Sequence, residues 1–117
     1  MAFFEDLQVW QLARDLTLAI YKTPQYGHDY GFRDQMQRAA VSIMNNIAEG
    51  SESGSMSSYI HFLNIARGSC AEVRNMLYLC EPLGYCSKEQ AEALIADCRH
   101  ITALLNKLIS YIQTRKQ

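Results

Sequence analysis

The residues best suited to chemistry lie in one stretch of the chain, Arg38–Gly50, where polar side chains recur at helical spacing. Five of them gather on one side of a predicted helix: Arg38, Ser42, Asn45, Asn46 and Glu49. Asparagine is a poor choice for an ordinary solvated helix face, because its short amide competes for backbone hydrogen bonds. Two adjacent asparagines near a helix end therefore require a specific role.

Three charged residues on the next predicted helix extend this group. They are Arg67, Glu72 and Arg74. Arginine presents a planar fork of donors that suits carboxylates and phosphates. Together with the five residues above they form what we call the polar set, the candidate site of this chain.

The polar set admits three interpretations. The first is a solvated face with ion pairs from Arg38 or Arg67 to Glu49 or Glu72. The second is a hydrogen-bonded network at a subunit contact. The third is a phosphate-binding patch for nucleic acid. Acidic residues within and beside the set dilute any positive field. The residues alone therefore favour a structural or interface network and place nucleic acid last.

No combination of residues predicts catalysis. The three histidines, His28, His61 and His100, fall in a loop or away from the apolar stripes, as surface residues do. Ser42 has no histidine near it in sequence and lies in mid-helix rather than on a strained turn. The chain also lacks a glycine-rich phosphate loop with its lysine. We therefore expect a protein that is not an enzyme, with no cofactor, no metal and no small-molecule substrate.

Four helices are predicted to position the polar set, because apolar residues recur at helical spacing and no segment alternates at period two. The first runs from about residue 5 to 22 and the second from about 32 to 48, with Gly50 as its C-terminal stop. Serines open the third helix, and Pro82 and Gly84 end it. Ser87 and Gln90 form a capping box for the fourth.

Apolar stripes define the predicted core and the fold. The first two helices contribute Val9, Ala13, Leu16, Ile20, Met36, Ala40, Ile43 and Ile47. The last two carry heptad seams: Tyr59, Leu63, Ala66, Cys70, Val73, Leu77 and Cys80, then Leu94, Cys98, Ile101, Leu105, Leu108 and Ile112. Heptad seams joined by short connections predict an all-α, antiparallel, up-down-up-down, left-handed four-helix bundle. We expect one domain over residues 1–117, with a frayed tail from Thr114 to Gln117.

Composition and charge place the chain among ordinary soluble domains. It has 117 residues, 49% hydrophobic and 20% charged, with eleven basic and twelve acidic side chains and a net charge of −1. That balance is not typical of a dedicated nucleic-acid binder. The first residues are acidic where a signal peptide is basic, and no apolar run is long enough to span a membrane. The four cysteines lack paired CxxC spacing. We expect a cytoplasmic protein with reduced thiols.

Two helices carry more apolar residues than one seam requires. The additional residues are Leu7, Trp10, Leu18 and Tyr21 on the first helix, and Phe62, Ile65, Met76 and Leu79 on the third. One interpretation is that wide stripes pack a thick core. Apolar surface beyond what one bundle buries usually marks an interface, however. We therefore predict self-association through these residues.

Three segments resemble a known family. They are DLQVWQLARDLTLAIY near the start, YGFRDQMQRAAVSIMNNIAEG in the centre, and FLNIARGSCAEV in the third helix. The chain is similar over nearly its whole length to the four-helix bundle proteins encoded by intervening sequences within bacterial 23S rRNA genes. That family is related to the accessory protein of diversity-generating retroelements.

The resemblance implies a ring-like homopentamer with no established enzymatic activity. In the retroelement relatives the accessory protein binds the reverse transcriptase and nucleic acid, so RNA, DNA and a reverse transcriptase are the implied partners. The signature residues of the family correspond here to Arg38, Ser42 and Asn46, to Ala48–Gly50, to Arg67–Ser69, and to Glu72.

Two departures from the family pattern remove positive charge near the signature. Ser53 stands where relatives commonly have arginine, and MSSY at residues 56–59 stands where they tend to have basic residues. The expected function is a homo-oligomeric accessory protein that binds nucleic acid or a ribonucleoprotein partner, with Arg38, Arg67 and Arg74 as phosphate contacts. The alternative is a protein-interaction scaffold without nucleic-acid binding.

Overall fold

The computed structural model describes residues 3–115 as an elongated helical bundle. A 3-10 turn, Phe4–Asp6, precedes four α-helices: α1 Gln8–Lys22, α2 Tyr30–Ser51, α3 Met56–Cys80 and α4 Lys88–Arg115. Each helix packs against the next in chain order, and α4 returns to α1. The bundle measures 49 × 22 × 20 Å, and residues 3–115 contain no β-strand. The prediction of an all-α four-helix bundle is confirmed.

The contacts between α2 and α3 show how neighbouring helices are paired. Gln35 near the start of α2 bonds to Glu72, while Ser42 further along α2 bonds to Ser69, which is earlier in α3. Helices that run in opposite directions give this order. The connection Glu52–Ser55 is also too short to return along a helix about 33 Å long. The left-handed supercoil and the up-down-up-down orientation of the whole bundle stay predictions.

A continuous apolar core fills the space between the helices. All eight predicted core residues of the first two helices are buried, and so are the seam residues of α3 from Leu63 onward. On α4, Ile109 is buried where Leu108 was predicted, and Leu108 is only partly buried against the core. Within residues 3–115, none of the helices combines the length and the apolar character needed to cross a membrane.

The first helix begins later than predicted. Leu7 has extended backbone, with φ −74° and ψ 125°, so it separates the 3-10 turn from α1. Glu5 consequently lies in the turn Phe4–Asp6 rather than in the first turn of the helix. The ring of Phe4 packs edge-on against Trp10, with 5.3 Å between centroids, and this contact holds the turn against α1.

Gly50 does not end the second helix, and that prediction is wrong. The helix continues to Ser51, and the positive backbone angle of the connection belongs to Gly54, with φ +86°. Gly50 is buried against α3. A Cβ added there would lie 3.0 Å from Phe62 Cβ and 3.0 Å from Tyr59 Cδ1. The missing side chain therefore allows α2 and α3 to approach closely, a recognised role of glycine.

Side-chain caps begin the last two helices as predicted. Ser55 Oγ accepts from Ser58 N–H at 3.1 Å at the start of α3. At the start of α4, Ser87 N–H donates to Gln90 Oε1 at 3.0 Å and Gln90 N–H donates to Ser87 Oγ at 3.1 Å. This reciprocal pair is the predicted capping box.

The predicted fraying of the C-terminal tail is tested only in part. Thr114 and Arg115 are still helical, and Thr114 Oγ1 donates to Tyr111 O at 2.7 Å. Fraying is therefore wrong for these two residues. Residues 116 and 117 lie outside the described part of the chain.

Candidate functional site

The polar set divides between the two sides of α3. On the α2 side, the hydroxyls of Ser42 and Ser69 share a hydrogen bond of 2.8 Å. Asn46 Nδ2 donates to the carbonyl oxygen of Ser42 at 2.8 Å and to its hydroxyl at 3.0 Å. All three side chains are partly buried. Ser42 and Asn46 therefore form an interhelical network, and the signature asparagine of α2 supports that network rather than a solvated face.

Glu72 lies on the same side of α3 and also bonds to α2. Its carboxylate accepts from Gln35 Nε2 at 3.1 Å. The ion pairs proposed above for the solvated face do not form: within residues 3–115, no salt bridge joins Arg38 or Arg67 to Glu49 or Glu72. Arg38 is exposed, so its guanidinium faces solvent without a carboxylate partner in the described chain.

Two open grooves run along the outward side of α2. The groove toward α1 has a volume of about 560 Å³, and the one toward α3 has about 590 Å³. Arg38 lines both. We call the surface centred on the first groove the α2 face, and define it by Tyr21, Arg38, Val41, Asn45 and Glu49. It joins an aromatic ring, an aliphatic side chain and charges of both signs.

Arg67 and Arg74 turn to the opposite side of α3, toward α4. Arg67 Nη1 donates to Asn106 Oδ1 at 2.7 Å and its Nη2 donates to Asn64 Oδ1 at 2.6 Å. The positive charge of Arg74 acts on the thiols of Cys70 and Cys98, which face each other between α3 and α4. The body of α3 separates Arg38 from the other two, so the three arginines do not form one patch on a single bundle. Their role as phosphate contacts stays a prediction.

A third arginine, which the sequence analysis missed, lies on the α4 side. Arg99 Nη2 donates to Tyr78 OH at 3.0 Å. We call this surface the arginine face, and define it by Asn64, Arg67, Arg74, Tyr78, Arg99 and Asn106. The spacing of Arg99 and Asn106, seven residues apart on α4, was a signal that both share one helix face. The hydrogen-bond partners of Arg67 and Arg99 in the described chain are uncharged.

The thiols of Cys70 and Cys98, between α3 and α4, shift each other's pKa. The hydrogen bond between Cys70 and Cys98, with smaller effects of Thr102 and Arg74, lowers the pKa of the Cys70 thiol despite its burial. The same hydrogen bond, together with burial, raises the pKa of Cys98 well above its ordinary value. Both side chains are fully enclosed, so this pair belongs to the core rather than to a surface site.

The predicted interface residues differ in exposure. Four are exposed on the outside of the bundle: Leu18, Tyr21, Ile65 and Leu79. Three are partly buried: Leu7 and Trp10, which pack against the chain's own core, and Phe62. Met76 is the exception, because it is only 6% exposed and packs in the core of its own helix bundle. It leaves almost no surface for a second copy, and its assignment to an interface is corrected.

The remaining chemistry-bearing residues are dispersed. His28, His61 and His100 are all exposed, and His28 Nδ1 lies 3.1 Å from Tyr30 OH. In the part of the chain that the structure describes, no three His, Cys, Asp or Glu side chains gather where they could hold a metal ion. The surface offers donors, acceptors and apolar side chains suited to binding.

The fold and the two faces define a small helical-bundle protein with two distinct polar surfaces. Residues 5–107 match the model of the 23S rRNA-intervening sequence protein family, and the chain belongs to that family. The resemblance seen in the sequence is confirmed. A crystal structure from Bacteroides thetaiotaomicron, described as a protein of unknown function from the S23 ribosomal protein family, is similar, with a TM-score of 0.78 and 25% identity. The alignment covers 87% of this chain and 95% of that one. No curated protein matches the chain.

Proposed function

We propose that this chain is a non-catalytic accessory protein of the cytoplasm that works as a homo-oligomer, with the α2 face as a subunit contact. The observation that carries the proposal is the groove in which Tyr21, Val41 and the exposed Arg38 lie together on the outside of the bundle. Tyrosine and arginine are the residue types most enriched at protein interfaces, where they supply much of the binding energy.

The exposed apolar side chains support the same proposal. Leu18 and Tyr21 are both about half exposed and lie one turn apart on α1, beside the groove. On the outward side of α3, Ile65 and Leu79 are likewise exposed. A closed ring needs two different patches on each copy. The α2 face is one such patch, and the exposed Ile65 and Leu79 of α3 supply apolar side chains for the second. A pentamer is the ring size that the family resemblance implies.

The charges of the α2 face suit contact with another copy better than contact with a polyanion. Arg38 shares its grooves with Asp34, Glu49 and Glu72. A mixed surface of this kind repels phosphate locally, whereas it can complement charges of both signs on a protein partner. Burial in an interface would bring Arg38 against a carboxylate of the neighbouring copy.

Light scattering tests the proposal with a matched pair of variants. Tyr21 and Tyr78 are 51% and 52% exposed, but Tyr78 lies on the arginine face. Tyr21→Glu should convert the wild-type oligomer to monomer at micromolar concentration, because it places a carboxylate within the contact, while Tyr78→Glu should remain oligomeric. Circular dichroism should show both variants folded. A wild-type protein that is monomeric under these conditions refutes the proposal.

The arginine face supports a second candidate function, the binding of RNA or DNA. Arg67 and Arg99 bond to amide and phenol oxygens rather than to carboxylates, so their positive charges are not neutralised by those partners. Phosphate oxygens are stronger acceptors for a guanidinium than neutral oxygens are. A reverse transcriptase partner stays a prediction from the resemblance, and a protein scaffold without nucleic-acid binding is the alternative.

A salt titration of binding to a structured RNA and a matched DNA duplex tests this second function. Removing an arginine that contacts a phosphate should reduce the slope of log affinity against log salt by about 1. We expect this reduction for Arg67→Ala and not for Arg38→Ala, which lies on the other side of α3. Affinity that depends neither on salt nor on Arg67 contradicts nucleic-acid binding by this face and leaves the scaffold.

A further inference from the structure

The four cysteines, all free thiols, lie in two pairs at different depths. Cys70 and Cys98 face each other in the middle of the α3–α4 contact, and Cys70 Sγ donates to Cys98 O at 3.3 Å. Cys80 is the last residue of α3, and Cys86 lies in the connection that follows. Neither pair belongs to the α2 face or to the arginine face.

Backbone hydrogen bonds bring Cys86 back to the end of α3. Gly84 turns the chain with φ +78°, a conformation that favours glycine. Tyr85 N–H then donates to the carbonyl oxygen of Cys80 at 2.7 Å, which closes the turn. In this arrangement the thiols of Cys80 and Cys86 each shift the pKa of the other, while Cys80 Sγ donates to the carbonyl oxygen of Met76 at 3.8 Å.

The two pairs differ in their access to solvent. Cys70 and Cys98 are both 0% exposed, so no reagent reaches either thiol without opening the core. Cys80 is also fully enclosed, but its neighbour Cys86 is only partly buried. A small oxidant can therefore reach the Cys86 thiol, while the Cys80 thiol stays enclosed.

We propose that Cys86 and Cys80 form a redox pair that peroxide converts to a disulfide. Hydrogen peroxide transfers one oxygen to the Cys86 thiol, giving a sulfenic acid and water. The Cys80 sulfur then attacks the Cys86 sulfur, the sulfenic oxygen leaves as a second water, and a disulfide forms. Two thiols and one peroxide thus give one disulfide and two waters, and the sulfur atoms supply the two electrons.

Solvent access favours oxidation of Cys86 and Cys80, whereas the pKa values favour oxidation of Cys70. Burial raises the pKa of Cys80 to about 12, and burial also raises the pKa of Cys86 although its interaction with the Cys80 thiol works the other way. If thiolate content alone decided reactivity, Cys70 would react first, because its pKa is lowered. We expect access to decide, so that Cys86, the one thiol of the four that is not fully enclosed, is oxidised first and slowly.

The disulfide would lie in the connection between α3 and α4, which packs against one end of the bundle. Tyr85 packs edge-on against Tyr26 and Phe32, with ring centroids 5.8 Å and 5.4 Å apart. Its hydroxyl donates to Asp29 Oδ2 at 2.5 Å, at the start of α2. A disulfide from Cys86 to Cys80 would therefore add a covalent bond to a connection that hydrogen bonds already hold to the end of α3 and to the start of α2.

Peptide mapping of the full chain after treatment with hydrogen peroxide tests the proposal. Cleavage after Lys and Arg leaves Cys80 and Cys86 in one peptide, residues 75–88, whereas Cys70 and Cys98 fall in two others, 68–74 and 89–99. The native protein should yield the 75–88 peptide lighter by two hydrogen atoms, and half of its four thiols should disappear.

A variant and a denatured control complete the test. Cys86→Ser should keep its remaining thiols under the same native conditions, and circular dichroism should show that it folds. The denatured chain should lose the selectivity. A cross-link between the 68–74 and 89–99 peptides in the native protein, higher oxidation of Cys86 without a disulfide, or no reaction of the native protein where the denatured chain reacts, would each overturn the proposal.

Discussion

The two sides of α3 pack against their neighbouring helices with different types of side chain. Toward α2 the contact uses a glycine and small hydroxyl side chains, with Gly50 against Phe62 and Ser42 bonded to Ser69. Toward α4 it uses thiols in the core and a long arginine side chain at the rim, where Arg67 reaches Asn106. Small residues let two backbones approach closely, whereas long side chains span a wider gap. The α2 side should therefore tolerate added atoms much less than the α4 side.

The difference also separates two candidate functions. The α2 side combines apolar exposed residues with charges of both signs, which suits another copy of the protein. The α4 side presents Arg67, Arg74 and Arg99, with neutral partners for the first and the last. One helix thus serves two surfaces, and changes to either surface can be tested without altering the other.

The largest expected effect comes from adding one methyl group to the α2 contact. Gly50→Ala would place its Cβ 3.0 Å from Phe62 Cβ and 3.3 Å from the carbonyl oxygen of Tyr59. These atoms belong to the backbone or lie next to it, so α3 itself must shift. Overpacking of this kind costs about 1–3 kcal/mol. Urea unfolding followed by circular dichroism measures the decrease in stability.

Gly68 is the matched control on the exposed side of α3. A Cβ added there meets nothing within 4 Å. Gly68→Ala should therefore stabilise the protein by about 0.5–1 kcal/mol, since alanine loses less backbone entropy than glycine in a helix interior. Equal stability of the two variants would show that α2 and α3 do not approach as closely as Gly50 indicates.

Most of the fold was predictable because it depends on periodicity. Apolar spacing located four helices and most of the core, and the Ser87–Gln90 capping box marked the start of α4 within a residue. Gly50 was misread because a glycine near a helix end has two physical uses, a left-handed stop or a close contact. Only the position of Phe62 in the neighbouring helix decides between them.

Some residues of the two faces could be named from the sequence, but their arrangement could not. Helical spacing gives the relative directions of residues on one helix, and it correctly grouped Ser42 with Asn46 and Arg67 with Arg74. It does not say which neighbouring helix each direction faces. Arg38 and Arg67 were therefore joined in one site although α3 lies between them, and the α4 partners Arg99 and Asn106 were missed.

The next largest effect is expected at the hydroxyl pair between α2 and α3. Ser42→Ala removes the partner of Ser69 in a partly buried position, and Asn46 keeps only its bond to the backbone. Removal of such a hydrogen bond costs about 1 kcal/mol. A double-mutant cycle of Ser42→Ala and Ser69→Ala, measured by urea unfolding, should show that the two destabilisations are not additive. Full additivity would contradict a direct bond.

The smallest effect on stability is expected at the arginine face. Arg67→Ala removes hydrogen bonds to Asn106 and Asn64, but all three side chains are exposed, so water replaces the missing partners. Such surface changes are usually within about 0.5 kcal/mol. The same cycle performed with Arg67→Ala and Asn106→Ala should give a smaller coupling energy than the serine pair. A larger coupling energy would mean that the arginine face holds α3 and α4 together. The arginines would then have a structural role in place of the binding role that we propose.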